Sequence, residues 1–272
     1  MVISPDYHKI ITFVIPTLNR VHTTRRCIDR IQKLVSDCEV RIILSYSGSS
    51  DGTAELDIVY DNLKIVKNSP DVWWTGSIYN ALKLINYKTV VCVLNDDVDL
   101  IKFDTRNLSV DGMAVYCGEQ VQLNGEVLYG LKIHGLGLLR KASKYEIEVT
   151  NGSFFWFSSD ICGLVLRSLK IEQAPHVGGD LILFSELKRL GCKLVWSDRA
   201  VIYQTNVTNY TRRVPIKQFW KHPASPYNVK MRYALARSLV VHSGYLGVLS
   251  QTLIYILDLT KYFLKKMQRS SN

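Results

Sequence analysis

The six cysteines of this 272-residue chain, Cys27, Cys38, Cys92, Cys117, Cys162 and Cys192, include no C-x-x-C pair. Scattered in this way, several of them inside apolar runs, they read as small hydrophobes and not as a disulfide frame or a zinc site, which suits a reducing cytosol. The opening "MVISPDYHKI" lacks a basic stretch followed by an apolar one, so no signal peptide is visible. Neither His134 nor His176 has a second ligand at metal spacing, and both read as ordinary residues. Acids are scarce in one region only. Residues 205–272 hold eleven of the 34 Lys and Arg but one of the 24 acids, Asp258, which leaves 23 of each sign in the first 204 residues. The net charge of +10 therefore belongs to the tail, and a neutral body and a basic tail imply different jobs.

With 47% hydrophobic and 21% charged residues the chain can bury a substantial core. One large domain over 1–205 and a basic, aromatic and amphipathic segment over 206–272 are expected. Within the body, residues 9–16, 40–47, 63–68 and 89–95 read as strands, being rich in Val, Ile and Leu and bounded by polar or turn residues. Between them, "HTTRRCIDRIQKLVSD" places Cys27, Ile28, Ile31, Leu34 and Val35 on one helical face, and "TGSIYNALKLINY" does the same with Ile78, Ala81, Leu82 and Ile85. Alternation of this length predicts an α/β fold with a mainly parallel sheet flanked by helices. Such sheets bind ligands at the carboxyl ends of their strands.

Three of those ends are "IPTLNR" (15–20), "SYSGSSDGT" (45–53) and "NDDVD" (95–99). The first offers Thr17, Asn19 and Arg20. The second offers Ser47, Gly48, Ser49 and free backbone N–H groups before a helix expected to start near Asp51, a combination suited to anions. The third sets Asp96, Asp97 and Asp99 side by side, and their repulsion persists unless a cation, a hydrogen-bond donor or water relieves it. An anion and a carboxylate cluster on one edge are reconciled by a divalent cation, and a diphosphate with Mg²⁺ or Mn²⁺ is the common case.

Taken in order, "IPTLNR", "SGSSDGT", "DVWWTGSIYNAL", "VLNDDV" and "HVGGDLILFSELKRLG" resemble a family 2 glycosyltransferase of the GT-A (Rossmann-like) fold, over roughly residues 10–205. "SPYNVKMRYALAR" (225–237) also resembles the tail of the bacterial branch that builds surface polysaccharides and includes rhamnosyltransferase-like members. The resemblance implies an inverting, metal-dependent enzyme that moves a sugar from a nucleotide diphosphate sugar to a hydroxyl of a glycan or polyprenyl-diphosphate-linked acceptor, as in O-antigen or capsule synthesis. It implies Asp97 as metal ligand, Asp96 facing donor ribose or phosphate, and Asp180 as the general base at a helix start that Gly191 ends. Thr17, Asn19, Arg20, Tyr46, Asp51, Trp73, Trp74 and Gly76 fall on the donor side. The chain departs from the family at Tyr46, where an acid usually holds the nucleobase, at Tyr79, where an asparagine is usual, and at Gln204, where a histidine is common as a metal ligand.

In the tail, Leu246, Leu249, Leu253, Ile256, Leu257, Phe263 and Leu264 recur at helical spacing, with Gln251, Asp258, Lys261 and Lys265 on another face. An amphipathic helix with flanking bases fits the anionic inner face of the plasma membrane, and its alternative is a helix packed on the body or on a second subunit. A cytoplasmic, peripheral protein is expected. Two other readings stand beside these. The bases and aromatics Tyr210, Phe219, Trp220, Tyr227 and Tyr233 can track a nucleic acid, but no nucleic-acid motif accompanies them and the body is neutral, so no such partner is expected. A nucleotidyltransferase would want a Gly-rich loop with bases near the N-terminus, where "IPTLNR" supplies only Arg20.

Overall fold

The computed structural model describes residues 10–106, 108, 110–134, 138–205, 221–223, 225 and 228–270, apart from the side chains of 134, 138, 240–248, 251, 259 and 261–270. Tyr210, Phe219, Trp220 and Tyr227 lie outside these residues, as do the side chains of His134, Leu246, Gln251, Lys261, Phe263, Leu264 and Lys265.

The first half alternates as expected: β1 (Ile10–Thr17), α1 (Val21–Leu34), β2 (Glu39–Ser47), β3 (Leu63–Asn68), α2 (Trp74–Leu82) and β4 (Val90–Leu94). The helix expected near Asp51 is a short 3₁₀ segment, Thr53–Ile58. The apolar face that would make it a full helix is absent, since only Thr53 and Leu56 of its six residues are buried. α2 starts one residue earlier than its sequence pattern and ends at Leu82, so Ile85 closes a turn through its N–H on the Leu82 carbonyl.

The second half adds β5 (Val98–Phe103), β6 (Ala114–Val121), β7 (Val127–Leu128), a small hairpin of β8 (Leu131–His134) and β9 (Leu138–Lys141), β10 (Phe154–Ser158), α3 (Cys162–Ser168), α4 (Gly179–Arg189), β11 (Lys193–Gln204) and α5 (Val229–Ser270). The main sheet runs β3-β2-β1-β4-β10-β6-β11-β5, with β7 on β6. β10 is antiparallel to both β4 and β6, β5 to β11 and β7 to β6, while the other neighbours are parallel, so that β1, β2, β3, β4, β6 and β11 all run the same way. The sheet is therefore mostly parallel.

Both faces of this sheet are covered, which is why its central strands are apolar without alternation. In β4, Val90, Cys92 and Leu94 join the core beneath α1, while Val91 and Val93 join the core beneath α2, α3 and α4. β10, "FFWFS", does the same with larger groups. Phe154 and Trp156 fill the α1 side, and Phe155 and Phe157 fill the other. Each of these four rings is at most 1% exposed, and burying one is worth about 1.5–3 kcal/mol, so β10 ties the two halves of the sheet together.

Candidate active site

The carboxyl ends of β1, β2 and β4 border a cavity of about 310 Å³, whose wall includes Thr17, Arg20, Ser47, Trp73, Trp74 and Asp97. Arginines stand beside all three aspartates. Arg20 sits between two of them, with Nη2 at 2.6 Å from Asp96 Oδ1 and Nη1 at 2.9 Å from Asp97 Oδ2. Asp99 takes Arg26 and Arg30 from the next turns of α1, at 3.5 and 3.2 Å. Arg20, at the cap of α1, and two arginines of α1 therefore neutralise the whole "NDDVD" turn.

Asp96 and Asp97 have different surroundings despite being neighbours. Asp96 is 1% exposed and does not reach the cavity. Its Oδ2 accepts hydrogen bonds from Thr17 Oγ1 (2.7 Å) and Thr24 Oγ1 (2.8 Å). Burial pushes its carboxyl up to about 6, against the opposing pull of Arg20 and Thr17. Asp96, expected against donor ribose or phosphate, thus lies off the cavity lining and anchors Arg20. Asp97 is on the cavity wall, and its backbone is pinned by a Thr205 hydroxyl donating to its carbonyl at 2.7 Å.

The other donor-side residues sort in a similar way. Asn19 adopts a left-handed conformation, φ 50°, which Asn tolerates, and joins the first two loops by accepting from Ser50 N and donating its own N–H to Ser49 Oγ, both at 2.9 Å. Asp51 accepts from Val21 N at 2.7 Å, closing an otherwise unpaired donor at the start of α1, and also accepts from the Thr53 hydroxyl. Burial raises its pKa, the hydrogen bonds from Thr53 and Val21 lower it, and the net result is lowered. Tyr46 is 4% exposed and off the cavity wall, where its neighbour Ser47 stands instead. Gly76 also lies off that wall; a Cβ there would stand 2.9 Å from Val72 Cγ1, so its lack of side chain serves packing.

Trp73 and Trp74 also line the cavity. Trp73 lies against His176, ring centroids 5.3 Å apart, and edge-on to His222 at 5.6 Å. Trp74 donates its indole N–H to Asn95 Oδ1 at 2.8 Å, tying α2 to the "NDDVD" turn. Gly152 lies under the Trp74 ring, where a Cβ would come within 2.4 Å of Trp74 Cζ2. That close approach lets Gly152 N donate to Asp180 Oδ2 at 2.9 Å.

Asp180, the second residue of α4, takes its other hydrogen bond from Leu181 N, also at 2.9 Å. Although these N–H groups favour its charge, burial outweighs them and raises its pKa. Its carboxyl therefore stays closer to neutrality than a helix start alone would leave it. The two glycines before it are dictated by geometry. Gly178 has φ 75°, and a Cβ on Gly179 would meet Thr75 Oγ1 at 2.3 Å, because Thr75 bonds the Ala174 carbonyl there. Asp180 itself stands behind the wall formed by Trp74 and Ser153.

His176, treated as ordinary in the sequence, lines the cavity, and so do Asn95 and Ser153. Burial first, then Arg20, push its pKa down to about 4, so its imidazole is neutral at neutral pH. The signal available for it was its place in "HVGGD", four residues before Asp180. Among the described residues no three His, Cys, Asp or Glu side chains form a ready-made metal cage. Asp97, with Gln204 and neutral His176 on the same wall, suits a divalent ion that takes most of its ligands from a bound diphosphate.

Residues 12–101 match the model of glycosyl transferase family 2. No curated protein matches the chain. Among solved structures, GalNAc-T7 with UDP, GalNAc and Mn²⁺ superposes with a TM-score of 0.57 at 13% identity, over 96% of this chain and 57% of that one. TarS 1-349 of S. aureus in complex with UDP-GlcNAc gives 0.57 at 13%, over 85% of this chain and 66% of that one. The mannosyltransferase PcManGT from Pyrobaculum calidifontis, with GDP-Man and Mn²⁺, gives 0.52 at 13%, over 98% and 84%. The chain thus spans less than two thirds of the first two proteins, and at these identities the likeness is one of fold. The matched segment runs from β1 into β5 and contains Arg20, Asp96 and Asp97. Over residues 12–101 the chain is thus similar to family 2 glycosyl transferases, and its fold is the GT-A fold of these solved structures.

Proposed function

We propose that this protein is an inverting, metal-dependent glycosyltransferase that moves a sugar from a nucleotide diphosphate sugar to a hydroxyl of a glycan or polyprenyl-diphosphate-linked acceptor in cell-surface polysaccharide synthesis. The observation that carries this is one cavity lined by Arg20, Asp97, Trp73 and Trp74, with Asp180 next to it through the Gly152 N–H under the Trp74 ring. In this reading Arg20 and Asp97 hold the diphosphate end of the donor, with Gln204 or His176 as further ligands to Mg²⁺ or Mn²⁺. When bound, that ion neutralises charge building on the leaving diphosphate. Ser47 and the tryptophans line the donor's seat. Asp180 accepts the acceptor's proton as the acceptor oxygen bonds to the anomeric carbon and the bond to the diphosphate oxygen breaks. A single base on the face away from the leaving group gives inversion, and a carboxyl raised by burial suits that base. GalNAc-T7 and PcManGT, both solved with Mn²⁺ and a nucleotide or nucleotide sugar, support the donor class and the metal. A cytoplasmic site at the inner face of the plasma membrane would bring such an enzyme to a lipid-linked acceptor.

The test is a screen of UDP-, GDP- and TDP-sugars for Mn²⁺-dependent binding and hydrolysis, repeated with Asp97→Asn. The variant removes a charge at the cavity wall and no core volume, so its melting temperature should stay near the parent's while metal-dependent donor binding weakens on the order of tenfold or more. Full activity in EDTA, or an unchanged Asp97→Asn, would overturn the metal's role.

A further inference from the structure

Arg232 and Asp258 lie on the same helical run, 26 residues apart, which on a straight helix would separate them by roughly 39 Å. Yet Arg232 Nη2 is 3.5 Å from Asp258 Oδ2, and the Arg232 guanidinium lies 5.7 Å from the centre of the Tyr255 ring. The run therefore doubles back on itself. Its first arm is bound to the body, with Met231, Leu235 and Leu239 buried against Ala174 and Ile182. Its second arm rests on the first through Tyr255 and Asp258.

That second arm faces the wrong way for a soluble helix. Tyr255 and Asp258 point toward the protein. Leu249, Leu253, Ile256 and Leu257, at i, i+4, i+7 and i+8, form a stripe on the other side and are 67%, 58%, 52% and 50% exposed. Thr260, exposed on the same side, turns its hydroxyl back onto the Ile256 carbonyl at 2.9 Å, so the stripe offers little to water there. Among the described residues no helix is long and apolar enough to cross a membrane.

We propose that this outward apolar stripe docks on an anionic lipid surface, lying in its plane. Charge selects that occupant. Residues 229–270 carry seven Lys and Arg and one acid, and that acid, Asp258, is already taken by Arg232. A second copy would bring the same positive charge against it, and four aliphatic side chains fall well short of the roughly 800 Å² per partner that a stable interface buries. Anionic headgroups attract the bases while the leucines enter the acyl boundary. This deepens the membrane placement proposed above but rests on the tail's geometry and charge alone, not on the donor chemistry.

The experiment is co-sedimentation of the full chain with vesicles of phosphatidylcholine alone or mixed with phosphatidylglycerol. Binding is expected to the mixed vesicles, weakened by high salt, and lowered on the order of tenfold or more by Leu253→Asp/Leu257→Asp. Ile58→Asp, at an exposed position on the body, should leave it unchanged. The double variant replaces exposed groups only, so its melting temperature should match the parent's. Equal binding by the double variant, or no preference for the anionic lipid, would overturn the proposal. So would a dimeric parent that Leu253→Asp/Leu257→Asp renders monomeric, which would assign the stripe to a second copy. Donor binding measured on the same preparations separates the two readings, because its loss counts against the transferase and not against the docking surface.

Discussion

The two flanks of the cavity hold their carboxylates by different means. On the α1 flank charge is held by charge: Arg20 grips Asp96 and Asp97, and Arg26 and Arg30 grip Asp99. On the α4 flank, Asp180 is held by two backbone N–H groups, with glycine making room for one of them. Burial raises Asp96 and Asp180 alike, even though Arg20 opposes it in one case and hydrogen bonds oppose it in the other. An arginine fixes geometry and keeps a buried acid tolerable, whereas backbone donors fix geometry and leave the acid able to exchange a proton. The first arrangement suits a binding edge and the second a base.

The largest effect should come from the second flank. Asp180→Asn is expected to keep donor affinity while transfer falls by about 10²–10⁴-fold, and its melting temperature should drop modestly, because the amide nitrogen cannot accept one of the two backbone N–H bonds that the carboxylate takes. Near-normal transfer would reduce Asp180 to a helix start and dissolve the contrast.

On the first flank, Arg20→Met should cost about 2–3 kcal/mol in urea unfolding at pH 7.5, less than a fully buried pair because the guanidinium is partly exposed. The pH dependence gives the sign. Folding raises Asp96 to about 6, so the folded state holds its proton more tightly than the unfolded chain does. Its contribution to stability is therefore greatest below about pH 4, declines as pH rises to about 6, and changes no further above that. Below about pH 6 Asp96 is protonated in parent and variant, and the Arg20→Met deficit should shrink there. A deficit that does not vary with pH would mean the pair is not what Arg20 supplies.

Gly152→Ala should follow, at about 2 kcal/mol, because its methyl group overlaps the Trp74 ring and draws the N–H away from Asp180. Indole fluorescence should shift with it. The smallest effect is expected from Asp51→Ala, about 1 kcal/mol for the lost bond to Val21 N, read as a lower melting temperature with donor affinity near the parent's.

The sequence alone determined the parallel half of the sheet, because β1, β2, β3 and β4 are short apolar runs separated by helix-period patterns, and this periodicity is local. It also located the carboxylate turn, the glycine pair before α4 and the concentration of charge in the tail. Only the tertiary structure decided that β10 joins the sheet antiparallel between β4 and β6, since strand order is set by contacts between residues far apart in the chain, such as Trp156 with Tyr116 and with Cys92. It separated Asp96 from Asp97, which are adjacent and alike in sequence, by burying the first and setting the second on the cavity wall. It supplied Arg26 and Arg30 as the partners of Asp99, which the sequence did not show because they stand on a helix some 70 residues earlier. It turned the leucines of α5 outward, since helical spacing fixes which residues share a face, and only the packing of one arm on another decides which way that face looks.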